Sequence, residues 1–560
     1  MKTLLWLFSI LFKKLILKRA FPILILSVLF SCKFSKKPKG ENTIHIPKKS
    51  NILWLVTEDM GQYLPSFGDN TVLTPNLSRL ANEGIRYPNV FSPSGVCAPS
   101  RAAIVTGMYP SSIGANHMRT TSYTEVTGLP KYEAVPPPEV KMFSELLRKQ
   151  GYYCTNNAKN DYQFKAPVTG WDQNGKKAHW KNRAQGQPFF SIFNFNVTHE
   201  SGLFEPYERA IAIPEDIEFR IPPYLPDTKT VRRDLWKMYN NIALMDQQIG
   251  KVLKELEDDG LLENTIVFFY SDHGGPLPRQ KRLVYDSGLK VPMIIRFPNK
   301  IYAGTQDDQL ISFVDFAPTV LALSGQVPPD YLQGQAFIGE KQIKRDYIHA
   351  ASDRFDGFTD AIRAVRDSRF KYIRNYQTEQ GYYLPVTYRE RIPTMKELIK
   401  LRGEGSLNEV QSQWFREKKS KEELFDCLND PHEINNLANQ AEYQNKLIEL
   451  RNEMDRWLTE INDQPNLPER DLINKLWENK VEKPKTTTPV VSITEGEITI
   501  ECGTKGASIG YRIVNENASP SAPYQVYTVP FKIEKGNHLE IIAHRIGFEA
   551  SNPIKYISKF

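Results

Sequence analysis

Hydrophobic residues come in short unbroken runs, each closed by polar or glycine-rich positions. The runs at 51–56 (Asn-Ile-Leu-Trp-Leu-Val), 188–195 (Pro-Phe-Phe-Ser-Ile-Phe-Asn-Phe), 264–270 (Asn-Thr-Ile-Val-Phe-Phe-Tyr) and 291–295 (Val-Pro-Met-Ile-Ile) are β-branched and aromatic. Such runs predict strands buried on both faces, as in a parallel sheet covered by helices. Between them the apolar spacing changes to a helical one. Residues 231–257 repeat at helical spacing with Gly260 beyond the end, and 142–149 form a shorter amphipathic stretch stopped by Gly151. Residues 74–84 read as a capped helix stopping at Gly84.

The pattern changes at the C-terminal end. Residues 465–489 turn polar and rich in Pro, Lys and Thr, the composition of a linker. Beyond them, short alternating runs at 491–493, 497–501, 510–513, 524–527, 531–533 and 539–543 are separated by Gly, Pro and Asn. These predict a small antiparallel β module over 490–560.

At 560 residues, 40% hydrophobic and 24% charged, the chain has the composition of a globular protein of more than one domain. Its formal charge of +7 is concentrated at the start: residues 1–31 hold five basic residues and no acid, and 33–50 hold six Lys against Glu41. The rest is therefore slightly acidic, which offers no basic face to a nucleic acid. The apolar run at 21–30 is about half the ~20 residues a spanning helix needs, so it reads as a signal segment. Leu29-Phe30-Ser31-Cys32 resembles a bacterial lipobox, although Phe30 is bulky for one. Two leaders follow: lipidation at Cys32 with 33–50 as a basic tether at the membrane, or a non-lipidated secretory signal. Either exports the protein, to the periplasm or the cell surface. Of the five cysteines, Cys154, Cys427 and Cys502 allow at most one disulfide.

The candidate chemistry centres on Cys97-Ala98-Pro99-Ser100-Arg101, followed by an apolar run to Thr106-Gly107. A cysteine at the mouth of a helix, with Pro in the first turn and a cation one turn inside, sits where unpaired N–H groups favour an anion. Other polar residues stand at predicted strand ends: Glu58-Asp59 after 51–56, His199 after 188–195, and Asp272-His273-Gly274-Gly275 after 264–270. Ligands gather at the carboxyl edge of parallel sheets. Two acids from distant strand ends suit an oxygen-ligated cation, and a strand-end histidine suits proton transfer. Taken singly, each of these groups has a plain alternative as a solvated loop residue.

The residues Cys97, Pro99, Ser100, Arg101, Thr106 and Gly107 resemble the signature of type I sulfatases. In that family the cysteine is converted to formylglycine by a formylglycine-generating enzyme. One hydroxyl of the aldehyde hydrate attacks sulfur, and the other then drives elimination of sulfate. The resemblance covers 51–464 and implies an alkaline-phosphatase-like α/β/α sandwich with a smaller C-terminal α+β subdomain. Stretches at 313–321 and 423–437 match it structurally. The 490–560 module is similar to the β-sandwich appended to chitobiases and hexosaminidases.

By the same resemblance, Cys97 is the nucleophile, Arg101 supports the hydrate, Lys159 and Lys281 bind sulfate, and His199 assists the leaving group. Arg282 competes with Lys281 for its role. Glu58, Asp59, Asp272 and His273, with position 97, are expected to hold one Ca²⁺. Glu58 departs from the usual Asp, and His273 makes the site less strictly oxygen-based. Lys159-Asn160-Asp161 departs from the common Lys-x-His. His117, Asp161, Asp353 and Arg354 are expected at the sugar, on a similarity to the heparan N-sulfatase branch. The implied substrate is a sulfated oligosaccharide, N-sulfoglucosamine first and O-sulfated glycans next. A phosphatase or phosphodiesterase of the same fold, which would normally use Ser or Thr, and a non-catalytic glycan-binding protein are the alternatives.

Overall fold

The computed structural model describes residues 49–339, 342–514, 522–534 and 536–557. The leader 1–32, with Cys32, and nearly all of the 33–50 tether lie outside the described residues. No helix among the described residues is long and apolar enough to cross a membrane.

The apolar runs form a nine-stranded central sheet. Its strands are β1 (Asn51–Thr57), β2 (Ile85–Phe91), β3 (Tyr153–Asn157), β4 (Gln173–Asn174), β5 (Phe189–Phe195), β6 (Thr265–Ser271), β7 (Lys290–Arg296), β8 (Thr305–Gln306) and β9 (Ile311–Ser312). Their order is β4-β3-β5-β1-β6-β7-β2-β8, with β9 also on β2. β1 pairs in parallel with both β5 and β6, whereas β7 runs antiparallel to β6 and β2. The catalytic candidates after β1, β5 and β6 therefore leave the sheet from one edge.

Every residue of β1 is buried, as a strand covered on both faces must be. Leu53 and Leu55 face a core shared with the long helix Lys229–Asp258. Trp54 and Val56 face the opposite core, which includes Ala102, Ile104 and Val105 of the helix Cys97–Thr106. Trp54 lies edge-on to Phe190, Tyr270 and Phe316 at 4.9, 5.4 and 5.8 Å between centroids. These two cores make the α/β/α sandwich. Helix limits follow the expected signals: Thr228 caps the long helix through a bond from Val231 N–H, and Gly260 follows it at φ 69°. Gly84 works differently. It has no left-handed φ; a Cβ there would meet Ile295 O at 2.5 Å, so close packing on β7 demands the glycine.

A second, antiparallel sheet holds β10 (Ile348–Ser352), β11 (Ile362–Arg366), β12 (Phe370–Asn375) and β13 (Glu422–Asp426). Helix Gln444–Glu460 covers it through Leu447, Leu450, Met454 and Trp457. The C-terminal module pairs β14 (Val490–Thr494) with β15 (Glu497–Glu501). Its four-stranded sheet has the order β17 (Gln525–Val526), β16 (Ser508–Val514), β18 (His538–His544), β19 (Ile554–Ile557). Ile498 and Ile500 pack on Leu539 and Ile541 across the two sheets, making a small sandwich. The run at 531–533 forms no strand, only a bridge from Phe531 to Ile498.

One expectation is corrected. Residues 465–489 are not a plain linker: they contain the helix Glu469–Leu476, with Ile473 and Trp477 buried beside Tyr132. Its amphipathic spacing is short and lies in a polar, proline-flanked stretch, so composition masks it. The described cysteines, Cys97, Cys154, Cys427 and Cys502, are all free, so no bridge forms among them.

Candidate active site

Val96 is extended at φ −145° and ψ 155°, and Cys97 opens the ten-residue helix Cys97–Thr106, which ends at left-handed Gly107. Every residue of this helix is buried. The thiol thus sits at a helix N-terminus that the sheet edge covers. Sγ lies 3.4 Å from His273 Nε2 and 3.9 Å from Asp59 Oδ1. Ser100 fastens the first turn by donating to Asp272 O at 2.5 Å.

The strand-end acids and their cations close around this point. Asp59 Oδ1 is 3.0 Å from His273 Nε2, and Lys281 Nζ donates to Asp59 Oδ2 at 2.6 Å. Asp59 N–H donates to Asp272 Oδ1 at 3.1 Å, which ties the ends of β1 and β6 together. Arg101 donates from Nε to Asp272 Oδ2 at 3.0 Å and from Nη1 to Asn194 Oδ1 at 2.7 Å. Its Nη2 is buried with no hydrogen-bond partner among the described residues. Lys159 Nζ donates to Glu58 Oε2 at 2.6 Å, with Asp161 Oδ2 3.8 Å away. His199 Nε2 stands 3.2 Å from Lys281 Nζ, and Ser201 holds the ring through Nδ1.

Electrostatics follow from this crowding. Burial pushes the Cys97 thiol up, but Lys159 and Lys281 outweigh it and bring it down to about 7. Burial disfavours a charged His273, yet Asp272 and Asp59 raise it to about 10. Against burial, His273, Arg101 and Lys159 hold Asp272 down at about 2. Asp59 lies well below the ordinary range for the same reason, through Lys281, His199 and His273.

Asp59, Cys97, Asp272 and His273 place ligand atoms within 4.8 Å of one another, and so do Glu58, Asp59, Cys97 and His199. Carboxylate oxygens with one imidazole are a donor set that fits a divalent cation, and the unpartnered Nη2 of Arg101 fits an added oxygen near position 97.

Lys281 and Arg282, rivals by sequence, diverge. Lys281 turns to Asp59 and His199, while Arg282 makes a two-pronged pair with Glu200 at 2.9 Å and a bond to Asp356 at 2.9 Å. Glu200, Asp356 and Asn194 carry no role in the sequence reading. Glu200 directly follows His199 and could have been suspected; Asp356 and Asn194 have no local signal.

His117, Asp353 and Arg354 come together, but around a separate cavity of about 520 Å³ whose lining includes none of the Cys97 group. Their polar groups are matched within the protein. Arg354 pairs with Glu469 at 2.5 and 2.7 Å, Asp353 accepts from Asn116 and Arg363 at 2.8 and 2.9 Å, and His117 Nδ1 accepts from Arg354 N–H. These residues dock the helix Glu469–Leu476 and line this cavity.

The family model described as Sulfatase matches residues 50–326, and that of the N-sulphoglucosamine sulphohydrolase C-terminal region matches 279–414. An ulvan-active sulfatase of Formosa agariphila is 60% identical over 95% of this chain and 96% of its own length. The chain belongs to the sulfatase family. This sulfatase is a hydrolase of sulfate esters, and the geometry above is where its signature cysteine lies. Human N-sulphoglucosamine sulphohydrolase is 24% identical to it over 74% of the chain and 90% of its own length. A solved structure described as a complex with its substrate D-glucosamine-2-N,6-O-disulfate shares the fold. Its TM-score is 0.53 at 19% identity, covering 75% of this chain and 99% of that one.

Proposed function

We propose that this sulfatase removes sulfate esters from a sulfated polysaccharide of the ulvan class, the substrate for which its 60%-identical relative is named. The observation that carries the reading is Cys97, buried at a helix N-terminus among Lys159, Lys281, His273 and the unpartnered Nη2 of Arg101. A formylglycine made from Cys97 by a maturation enzyme supplies an oxygen nucleophile where a plain thiol would stop at a dead end. A divalent cation, Ca²⁺ by the family resemblance, would be held by Asp59, Asp272 and His273 with support from Glu58, and would neutralise charge on the sulfate oxygens.

The remaining work falls to the chain itself. Lys159 and Lys281 clamp the sulfate oxygens, each kept cationic by an acid 2.6 Å away. Arg101 orients Asp272 and donates its free Nη2 to the oxygen at position 97. His199, steadied by Ser201, gives a proton to the departing sugar oxygen. Polymer outside the cell suits an exported enzyme, anchored through Cys32.

A second reading, N-sulfoglucosamine, is favoured by the C-terminal family model over 279–414. Co-expression with a formylglycine-generating enzyme, mass spectrometry of the Cys97 peptide, and sulfate release from ulvan oligosaccharides and N-sulfoglucosamine separate the two. Wild type is expected to release sulfate from ulvan fragments and Cys97→Ala to release none. An unmodified thiol in the presence of a competent maturase, or equal release by both proteins, overturns the mechanism.

A further inference from the structure

Beside the Cys97 group stands a set of side chains that the chemistry does not use. Tyr388 lies 6.4 Å from the His199 ring and edge-on to Phe204 at 5.2 Å. Among the described residues its hydroxyl has no hydrogen-bond partner, and its ring is half-buried. Arg391, in the same short turn Arg389–Arg391, lays its guanidinium over Phe204 at 4.3 Å and Tyr388 at 5.8 Å. It is exposed and meets no carboxylate among the described residues.

A second cation approaches from another part of the chain. Met118 packs against Val96, the residue before Cys97, and against Phe355. Arg119, next in sequence, is exposed at φ 63° and makes no ion pair among the described residues. Tyr123, also left-handed at φ 50°, is raised by partial burial and by Asp356, and feels Arg119, Arg282 and Tyr388. Arg119 thus follows a residue packed on Val96, and Arg391 lies over Tyr388, whose ring is 6.4 Å from that of His199. Within the site itself Lys159, Lys281, Arg101 and Arg282 each already have an acidic partner. Two unpaired guanidinium groups next to two half-buried phenols are an arrangement that receives a flat, negatively charged ligand.

We propose that Arg119, Arg391, Tyr388 and Tyr123 form a subsite for the sugar next to the one being desulfated, and that this sugar carries a second anionic group. The ring stacks on Tyr388, and the two arginines hold its carboxylate or sulfate. The inference rests on the polysaccharide reading above and deepens it: the enzyme reads a charged neighbour as well as the scissile ester.

The test compares kcat/KM on ulvan oligosaccharides with kcat/KM on a small aryl sulfate, using aldehyde-bearing wild type, Arg119→Ala, Arg391→Ala and Tyr388→Leu. Charge-assisted bonds of ordinary strength predict that the oligosaccharide-to-aryl ratio falls about tenfold for each arginine variant. The fall should appear in KM and be restored in part by Arg391→Lys. Carboxyl-reduced oligosaccharide and oligosaccharide stripped of its other sulfates identify the anion: the one that erases the difference between wild type and variants carries it. An unchanged ratio in all three variants overturns the subsite while leaving the polysaccharide reading intact. Wild type that hydrolyses the aryl sulfate but no oligosaccharide overturns both.

Discussion

Glu200 is the residue on which the two neighbouring cations depend. Its carboxylate accepts both prongs of Arg282 and lies 3.0 Å from Lys281 Nζ, while its N–H donates to Asp59 Oδ2 at 2.8 Å. Burial would raise it, but Arg282 and Lys281 hold it down at about 2. Glu200→Gln keeps the backbone bond and removes the charge, so Lys281 loses one of its two acidic neighbours. Loss of such a supporting partner costs on the order of 10- to 100-fold in activity. Sulfate release should fall by that factor with formylglycine content and fold unchanged, as read by peptide mass spectrometry and circular dichroism; retained activity would make Glu200 a structural residue only. The residues legible in the sequence are those that end a strand or open a helix: Glu58, Asp59, Cys97, His199, Asp272 and His273 fall in two overlapping groups that share Asp59 and Cys97. Position along the chain predicts position in space there, because the sheet aligns its carboxyl edge. Asp356 reaches Arg282 from a loop after β10, and no periodicity marks such a residue. His117, Asp353 and Arg354 lie close to one another and pair with Glu469 and Arg363 around a different cavity.

Among elements, the strands of the central sheet were the most legible, because burial on both faces leaves a continuous apolar run. The helix Glu469–Leu476 was not, since it buries one narrow face in a polar stretch. Its docking gives a sharp test at Gly114, which sits at φ 72° with room for a Cβ only 2.8 Å from Leu476 Cδ1. Gly114→Ala must accept a left-handed backbone and displace Leu476, for a loss of about 1–3 kcal/mol. Thermal melting should show it, and Leu476→Ala in the same chain should recover part of it by vacating the contact. The second sheet supplies a pH test. Burial pushes Glu423 of β13 up to about 7 from an ordinary 4.5, against bonds to Oε1 from Tyr382 at 2.7 Å and Asn375 at 3.1 Å. The folded state therefore binds a proton that the unfolded chain has released. This contribution is fully present below about pH 4.5 and is lost as pH rises through 7, amounting to about 3 kcal/mol. Glu423→Gln keeps an Oε1 acceptor without the charge. Its melting temperature should exceed that of wild type at pH 8 and converge with it at pH 5; parallel curves would sink the assignment.

At the scale of the whole molecule, the catalytic edge and the C-terminal module lie at different ends of the sheet. The Cys97 group gathers where β1 and β6 end, whereas the module meets the chain near the start of β3. Arg148, just before β3, donates to Tyr524 O at 2.5 Å and to Asp172 Oδ1 at 2.7 Å, and Lys141 Nζ donates to Gly506 O at 2.5 Å. Gly506, at φ 82°, lies so close to Pro138 that a Cβ would meet its carbonyl oxygen at 2.4 Å, and Gly510 packs on Val168 and Thr169. The module is thus seated on the sandwich by close backbone contact and shares no residue with the sulfate site. Two consequences separate if the chain is ended after residue 489. Exposing the module's seat removes buried contacts, so the melting temperature should fall by several degrees. The chemistry should persist, with kcat on a small aryl sulfate within about twofold of wild type, because no group that clamps sulfate or orients Asp272 is touched. Binding to insoluble polysaccharide, measured by co-sedimentation with both proteins, then decides whether the module only braces the sandwich or also holds the polymer. Equal sedimentation assigns it to bracing, and a loss confined to the shortened chain assigns it to the polymer. A collapse of aryl sulfate turnover in a shortened chain that still folds would overturn the separation of module and site.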